Sequence, residues 1–266
     1  MIKGDSAQTL LGTALDGGVL TVTLDRPQVH NALNPQLIAE LTRLFREVDA
    51  REEVRVVVLT GAGSTFCAGG DLASMRAAAD FDFQENVAGG QAIFDLMAAV
   101  DRCSKPVVGR INGSAFGGGT GLVSCCDLAI AVEHATFAFS EVRLGLIPAV
   151  ISPFVLRKIG PGYARELFLT GEKFDTLKAL HIGLIHQVSS VETLDDAVNH
   201  KVALLLQGAP EAQAAAKEIT RMGEQQSIDE QRLAMAEILA RRRASREGRE
   251  GMSAFLEKRK PDWQGG

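Results

Sequence analysis

Two stretches of this 266-residue chain are dense in glycine, GAGSTFCAGGDL at 61–72 and NGSAFGGGTG at 112–121. Twelve of the 27 glycines fall between Gly61 and Gly121. Overall content is about 10%, against a norm of roughly 7%. Each stretch follows an apolar run that reads as a strand and precedes a run that reads as a helix. A helix start leaves backbone N–H groups without intrahelical acceptors. Such donors suit an anion, or an oxygen that becomes anionic during a reaction. Glycine fits there because a side chain would block close approach. Neither stretch is a nucleotide loop. The first has Thr65–Phe66 in place of the third glycine of G-x-G-x-x-G, the second reads G-x-x-x-G-G-G, and neither carries the Lys-Ser/Thr pair of a phosphate loop. The plain alternative is that the glycines serve tight turns and close packing. Two such loops after two strands favour the oxyanion reading.

An oxyanion site needs a proton carrier near the reacting carbons. Glu141, in AFSEVRLG, is surrounded in sequence by Phe137, Phe139, Val142 and Leu144. Burial would raise its carboxyl pKa toward a useful range. Taken alone, a surface glutamate paired with Arg143 is the commoner case.

The elements that must position these groups follow from periodicity. Residues 10–15 and 19–24 alternate around Gly17–Gly18 and predict a hairpin. Asn34–Pro35 is an N-cap with proline at the first helical position, and the helix runs to about Asp49. Val54–Thr60 and Pro106–Ile111 read as strands covered on both faces, and 83–103 as a long helix. Short strands are predicted at 128–132, 136–139 and 184–188, and two or three amphipathic helices in the last seventy residues. Alternating strands and helices followed by helices imply an α/β core with a helical C-terminal region. No sequence repeat of 20–50 residues is visible.

Composition excludes several classes. With 28 Lys and Arg against 33 Asp and Glu the net charge is −5, and 46% of residues are hydrophobic. That describes a globular chain and a poor general nucleic-acid binder. The one basic run, RRRASREGR at 241–249, reads as a solvated or subunit-facing helix surface. No apolar run approaches the ~18 residues of a membrane span, and MIKGDSAQTLL lacks the apolar stretch of a secretory signal. Cys67, Cys103, Cys125 and Cys126 show neither CxxC spacing nor a disulfide pattern, which suits a reducing, cytoplasmic setting, an organelle matrix included. His134, His181, His186 and His200 have no ligand spacing, so no metal is assigned. His30 is expected to support its loop.

Seven segments occur in order: RPxxxNAL at Arg26–Leu33, TFCAGGDL at Thr65–Leu72, NGSAFGGGTGL at Asn112–Leu122, CDLAIA at Cys126–Ala131, SEVRLGLIP at Ser140–Pro148, LTGEKFDTLKALHIGLIHQV at 169–188 and FLEKRKP at 255–261. On these, nearly the whole chain resembles the crotonase superfamily, the enoyl-CoA hydratase/isomerase group. The resemblance implies a spiral of ββα units over 1–200 and a helical trimerisation region over 201–266. It also implies a homotrimer or a hexamer built from two trimers, and acyl-CoA thioesters as substrates. No cofactor is implied, CoA being part of the substrate, and neither nucleic acid nor membrane is an expected partner.

By the same resemblance, the N–H groups of Gly70 and Gly118 hold the thioester oxygen and Glu141 is the second of two catalytic glutamates. The first glutamate position holds Gly121. PAVISPFVLRKIG at 148–160 is similar to the bacterial methylglutaconyl-CoA and isohexenylglutaconyl-CoA hydratase branch, and a bare position 121 implies room for a branched acyl group. Arg26 and Val29 correspond to residues at the mouth of the site. Ala68, Asp71 and Leu72 correspond to those on the adenine and pantetheine side, Phe116 and Gly117 to substrate-binding positions, and Phe255 and Lys258 to residues that reach the nucleotide, commonly of a neighbouring subunit. The expected reaction is water addition to an enoyl-CoA, with Glu141 handling both water and the α-proton. A Δ3,Δ2-enoyl-CoA isomerase needs only one carboxylate and is the nearest rival. Thioester hydrolysis and decarboxylation use the same hole, and a catalytically idle CoA- or RNA-binding scaffold is the alternative of another class.

Overall fold

The computed structural model describes residues 9–222 and 227–265. The first eight residues of the N-terminal segment read above lie outside them. Strands β1 (Leu11–Asp16) and β2 (Val19–Leu24) form the expected antiparallel hairpin, turning through Gly17 and Gly18 at φ 50° and 81°. Positive φ at both turn positions matches the right-handed twist of the strands. Helix α1 (Pro35–Val48) is capped by the Asn34 side chain, which accepts from Leu37 N, and buries Leu37, Leu41, Phe45 and Val48.

The chain then repeats one move. Strands β3 (Val56–Gly61), β5 (Val107–Ile111), β7 (Leu128–Val132) and β10 (Gln187–Ser189) join the hairpin in a six-stranded sheet, ordered β1-β2-β3-β5-β7-β10 and parallel from β2 onward. Short partners β4 (Thr65–Cys67), β6 (Ser114–Phe116), β8 (Thr136–Ala138) and β9 (Lys173–Asp175) form a second sheet in the order β4-β6-β8-β9. Between them run α2 (Leu72–Ala78), α3 (Phe83–Arg102), α4 (Gly118–Cys125), α5 (Ser152–Thr170) and α6 (Thr176–His181). β3 is buried along its whole length, as its continuous apolar sequence requires.

This is the expected spiral of ββα units, a repeat of structure with no repeat of sequence. The glycine loops predicted from sequence contain β4 and β6, strands of three residues each. Their pairing is set by neighbours across the sheet, so no local pattern announces them. Strand β10 is also shorter and later than 184–188 suggests. Helix α5 breaks at Gly160, where φ is 73° and ψ 162°, just before Pro161.

Helix α7 (Leu194–Gln207) buries Leu194, Val198 and Val202 in the main core. The expected boundary at 200/201 therefore falls inside a core helix. Beyond Gly208, α8 (Pro210–Met222), α9 (Ile228–Ala244) and α10 (Arg246–Leu256) pack on one another. Helix α9 buries none of its described residues, and Leu233 and Phe255 are exposed.

Candidate active site

Adjacent strands bring the site together. β4, β6 and β8 lie side by side, so the segments leaving their ends, at Gly70, Gly118 and Glu141, emerge next to one another. Residues 71 positions apart along the chain thus share one end of a small sheet.

The first loop is held by polar groups. The buried Asn31 side chain donates to Ala62 O at 2.9 Å and Thr65 O at 2.7 Å, and accepts from Arg26 N at 2.9 Å. Asn112 Oδ1 accepts from Gly61 N, and its Nδ2 donates to Gly63 O. Asp71 caps α2 by accepting from Ala73 N and Ser74 N, both at 3.0 Å. Its other oxygen meets Arg26 Nη2 at 2.9 Å, the two side chains being 8% and 12% exposed. The N–H of Ser74 and the Arg26 guanidinium hold this carboxyl below its ordinary pKa. Arg26 also donates to Ala32 O. Arg26 and Asp71, expected at the CoA-binding surface, therefore satisfy each other.

A parallel bridge joins Leu33 to Gly70. Its bonds are Leu33 N to Gly69 O at 2.7 Å and Asp71 N to Leu33 O at 3.1 Å. In a parallel bridge the central residue's own N–H points away from the partner, so the Gly70 N–H is free to face the site. Gly118 opens α4, where first-turn N–H groups have no intrahelical acceptor. The loops meet in backbone contact: a Cβ on Gly69 would lie 2.5 Å from Phe116 O and 3.5 Å from Gly118 N, and one on Gly119 would lie 2.2 Å from Cys67 O. Close packing thus falls to Gly69 and Gly119, while Gly70 and Gly118 keep backbone N–H groups without an acceptor among the described residues.

Glu141 begins a 3-10 turn, Glu141–Leu144, that ends at Gly145 in the left-handed region. Its Oε1 would be 3.1 Å from a Cβ on Gly117. Its Oε2 is buried without a hydrogen-bond partner. Burial is the main cause pushing its pKa upward. Among the described residues no cation pairs with it, and Arg143 is exposed.

Gly121 does not open space. A Cβ there would lie 2.6 Å from Ile151 Cγ2 and 3.4 Å from Met97 Cε. Ile151 is 1% exposed and immediately precedes α5. The room expected for a branched acyl group at position 121 is filled by that side chain, so this corner is apolar and closed.

A cleft of about 800 Å³ runs between α2, α3 and the segment after Glu141. Gly70 stands in its wall with Leu33, Met75, Ile93, Leu146 and Ile147. Leu33 also reaches Gly118, its Cδ1 lying 3.1 Å from where a Cβ would stand. Leu146 N donates to Glu141 O at 3.1 Å. The cleft is thus tied to both remaining site groups. Sequence reasoning missed its wall on α3, whose signal is the glycine pair Gly89–Gly90 inside a helical pattern.

The chain belongs to the enoyl-CoA hydratase/isomerase family. The family profile matches residues 15–266. An enoyl-CoA hydratase of Alternaria alternata is 36% identical over 239 residues, covering 90% of this chain and 78% of that one. A crotonyl-CoA hydratase of Syntrophomonas wolfei is 34% identical over 242 residues, 90% of this chain and 92% of its own. The crystal structure of an enoyl-CoA hydratase from Shewanella pealeana superposes with a TM-score of 0.93 at 39% identity, covering 97% of each chain.

The other expected binding residues are spread around this centre. Val29 is 37% and Leu72 79% exposed. Ala68 N donates to the carbonyl of His30, which stands at φ 54° and braces the loop. Gly117 N donates to Ala138 O at 2.9 Å, and Lys173 Nζ sits 5.3 Å from the Phe116 ring centroid. Phe255 and Lys258 are exposed at the end of α10 and just beyond it, and neither lines the cleft. The four cysteines are free and buried, which pushes the thiols of Cys67, Cys103 and Cys126 up to about 12. Among the described residues no group of three or more His, Cys, Asp or Glu could hold a metal ion.

Proposed function

We propose that the chain adds water across the α,β double bond of an enoyl-CoA thioester. The observation that carries this is the half-buried Glu141, whose Oε2 is buried with no hydrogen-bond partner, beside two loops that each offer a backbone N–H from glycine. Ionised Glu141 takes a proton from water as the oxygen attacks the β-carbon. The electron pair moves onto the thioester oxygen, held by Gly70 N and Gly118 N. Glu141 then returns its proton to the α-carbon, so the carboxylate ends as it began. One donor of such a hole is typically worth ~2.7–4 kcal/mol in the transition state. The acyl chain enters the cleft that Gly70 borders.

On this reading Val29, Leu72, Ala68, Phe116 and Gly117 face the CoA side. Arg26 and Asp71 shape the loop through their ion pair, and Phe255 and Lys258 serve the nucleotide of a neighbouring copy. The exposed Leu233, Leu239 and Phe255 of the C-terminal helices support a homotrimer or a pair of trimers, since such apolar faces are normally covered. No described helix is long and apolar enough to cross a membrane. Buried free thiols support a reducing, cytoplasmic setting.

Glu141→Gln is expected to lower kcat for hydration by roughly 10²–10⁴-fold, read as slower loss of the conjugated enoyl absorbance. Near-wild-type hydration would remove Glu141 from this role. The apolar corner at Gly121 and Ile151, which leaves one carboxylate, favours Δ3,Δ2-isomerisation as the second reading. A β,γ-enoyl-CoA would then gain conjugated absorbance with no water added.

A further inference from the structure

Helix α3 contains Gly89 and Gly90 in its second turn. Glycine is the poorest helix former apart from proline, so two in succession need a compensating reason. Both line the cleft beside Gly70. A Cβ on Gly89 would meet nothing within 4 Å, and one on Gly90 would make only an ordinary contact, 3.6 Å from Val150 Cγ1. The bare backbone therefore keeps the cleft wide rather than permitting any close packing.

Its charge is equally specific. The wall holds no Lys, Arg or His. Its two carboxylates are Asp71, paired with Arg26, and Glu85, which accepts from Asp82 N at 2.8 Å in the capping box of α3. A free carboxylate on an acyl chain would meet Glu85 and no cation in the wall. The cleft of about 800 Å³ runs from Gly70 and Asp71, the pantetheine side on the hydratase reading, along α3 past Gly89, Gly90 and Ile93, which gives an acyl chain a wall to extend along.

We propose that Gly89 and Gly90 are specificity-determining residues that admit an uncharged, apolar acyl chain well beyond four carbons, and that the surrounding wall rejects acyl chains carrying a carboxylate. This rests on the hydratase reading above for its substrate class.

The test compares wild type, Gly89→Leu and Gly89→Ala with crotonyl-CoA, trans-2-decenoyl-CoA and glutaconyl-CoA. Calorimetric binding of butyryl-CoA and decanoyl-CoA runs alongside. Wild type is expected to prefer decenoyl- to crotonyl-CoA by about tenfold or more in kcat/KM, and to use glutaconyl-CoA about a hundredfold less well than decenoyl-CoA. Gly89→Leu should reverse the length preference, losing about thirtyfold on decenoyl-CoA, mainly through KM, with a matching loss of decanoyl-CoA binding. Gly89→Ala, the milder substitution, should fall between and supplies the answer if the leucine variant does not fold. Equal effects on both chain lengths, or efficient use of glutaconyl-CoA, overturn the proposal while leaving hydration standing. Absence of turnover with every thioester, with length-dependent binding still lost in the variants, overturns the hydratase reading and keeps the acyl subsite.

Discussion

The loops at 61–72 and 112–121 have similar composition and the same proposed task, yet different forces hold them. The first is a polar construction. Asn31, Asn112 and the Arg26–Asp71 pair satisfy its carbonyls and the start of α2. The second is held by neutral groups: the buried Thr120 hydroxyl bonds to Ala115 O and Ala138 O, Gly119 lies against the backbone of Cys67, and Gly121 lies against Ile151 and Met97. Both place an N–H at a strand end, one in a charged frame and one in a neutral frame. Only the charged frame can depend on pH, because neither a van der Waals contact nor a hydroxyl or amide hydrogen bond ionises in the accessible range.

Asp71→Asn gives the largest expected effect on stability. Breaking a buried pair strands the Arg26 charge and typically costs about 3–5 kcal/mol. The Asp71 carboxyl is held below its ordinary value, so its stabilisation is complete at neutral pH and disappears as pH falls through the lowered pKa. Denaturant melts of wild type and Asp71→Asn should differ most at pH 7 and begin to draw together as pH falls below the ordinary aspartate value, ~3.9. A difference unchanged across that window would show that the first loop, too, is held by neutral groups.

Gly121→Ala comes next, at about 1–3 kcal/mol from overpacking against Ile151, and its cost should not vary with pH. In the double variant with Ile151→Ala, the loss should be smaller than the sum of the two single losses. Strict additivity would mean that Ile151 does not fill that space.

The smallest effect belongs to Glu141, between the loops. Burial raises its folded pKa, so the native state holds the proton more tightly than the unfolded chain. Stability then falls as pH rises from the ordinary carboxylate value, ~4.3, through the raised one. Glu141→Gln should melt above wild type at pH 8 and match it at pH 4. The hydration rate of wild type should fall on the acid side through the same raised pKa, because the base form starts the reaction.

Much of this arrangement was legible in the chain. The hairpin at Gly17–Gly18, the Asn34 cap and the buried runs at Val56 and Val107 are local patterns, and the structure keeps them. The glycine loops and Glu141 were legible as chemistry, because N–H donors and an apolar-flanked carboxylate are signalled by residue type. What was not legible depends on distant partners. β4 exists only through its pairing with β6, and β6 through β4 and β8, and the cleft wall on α3 is defined by Met75 and Leu146 from other segments. Gly121 looked like an opening because sequence shows a missing side chain and not the neighbour that replaces it.

The sequence by itself determined the hairpin, the long helices, the buried strands and the single carboxylate, since each follows from residue type and short-range spacing. Tertiary structure alone decided that Arg26 is committed to Asp71, that Ile151 closes the corner at Gly121, and that Gly89 faces open space. The physical reason is that burial, pairing and free volume are properties of what lies across a contact. In this spiral the contacts join segments that the chain separates by tens of residues.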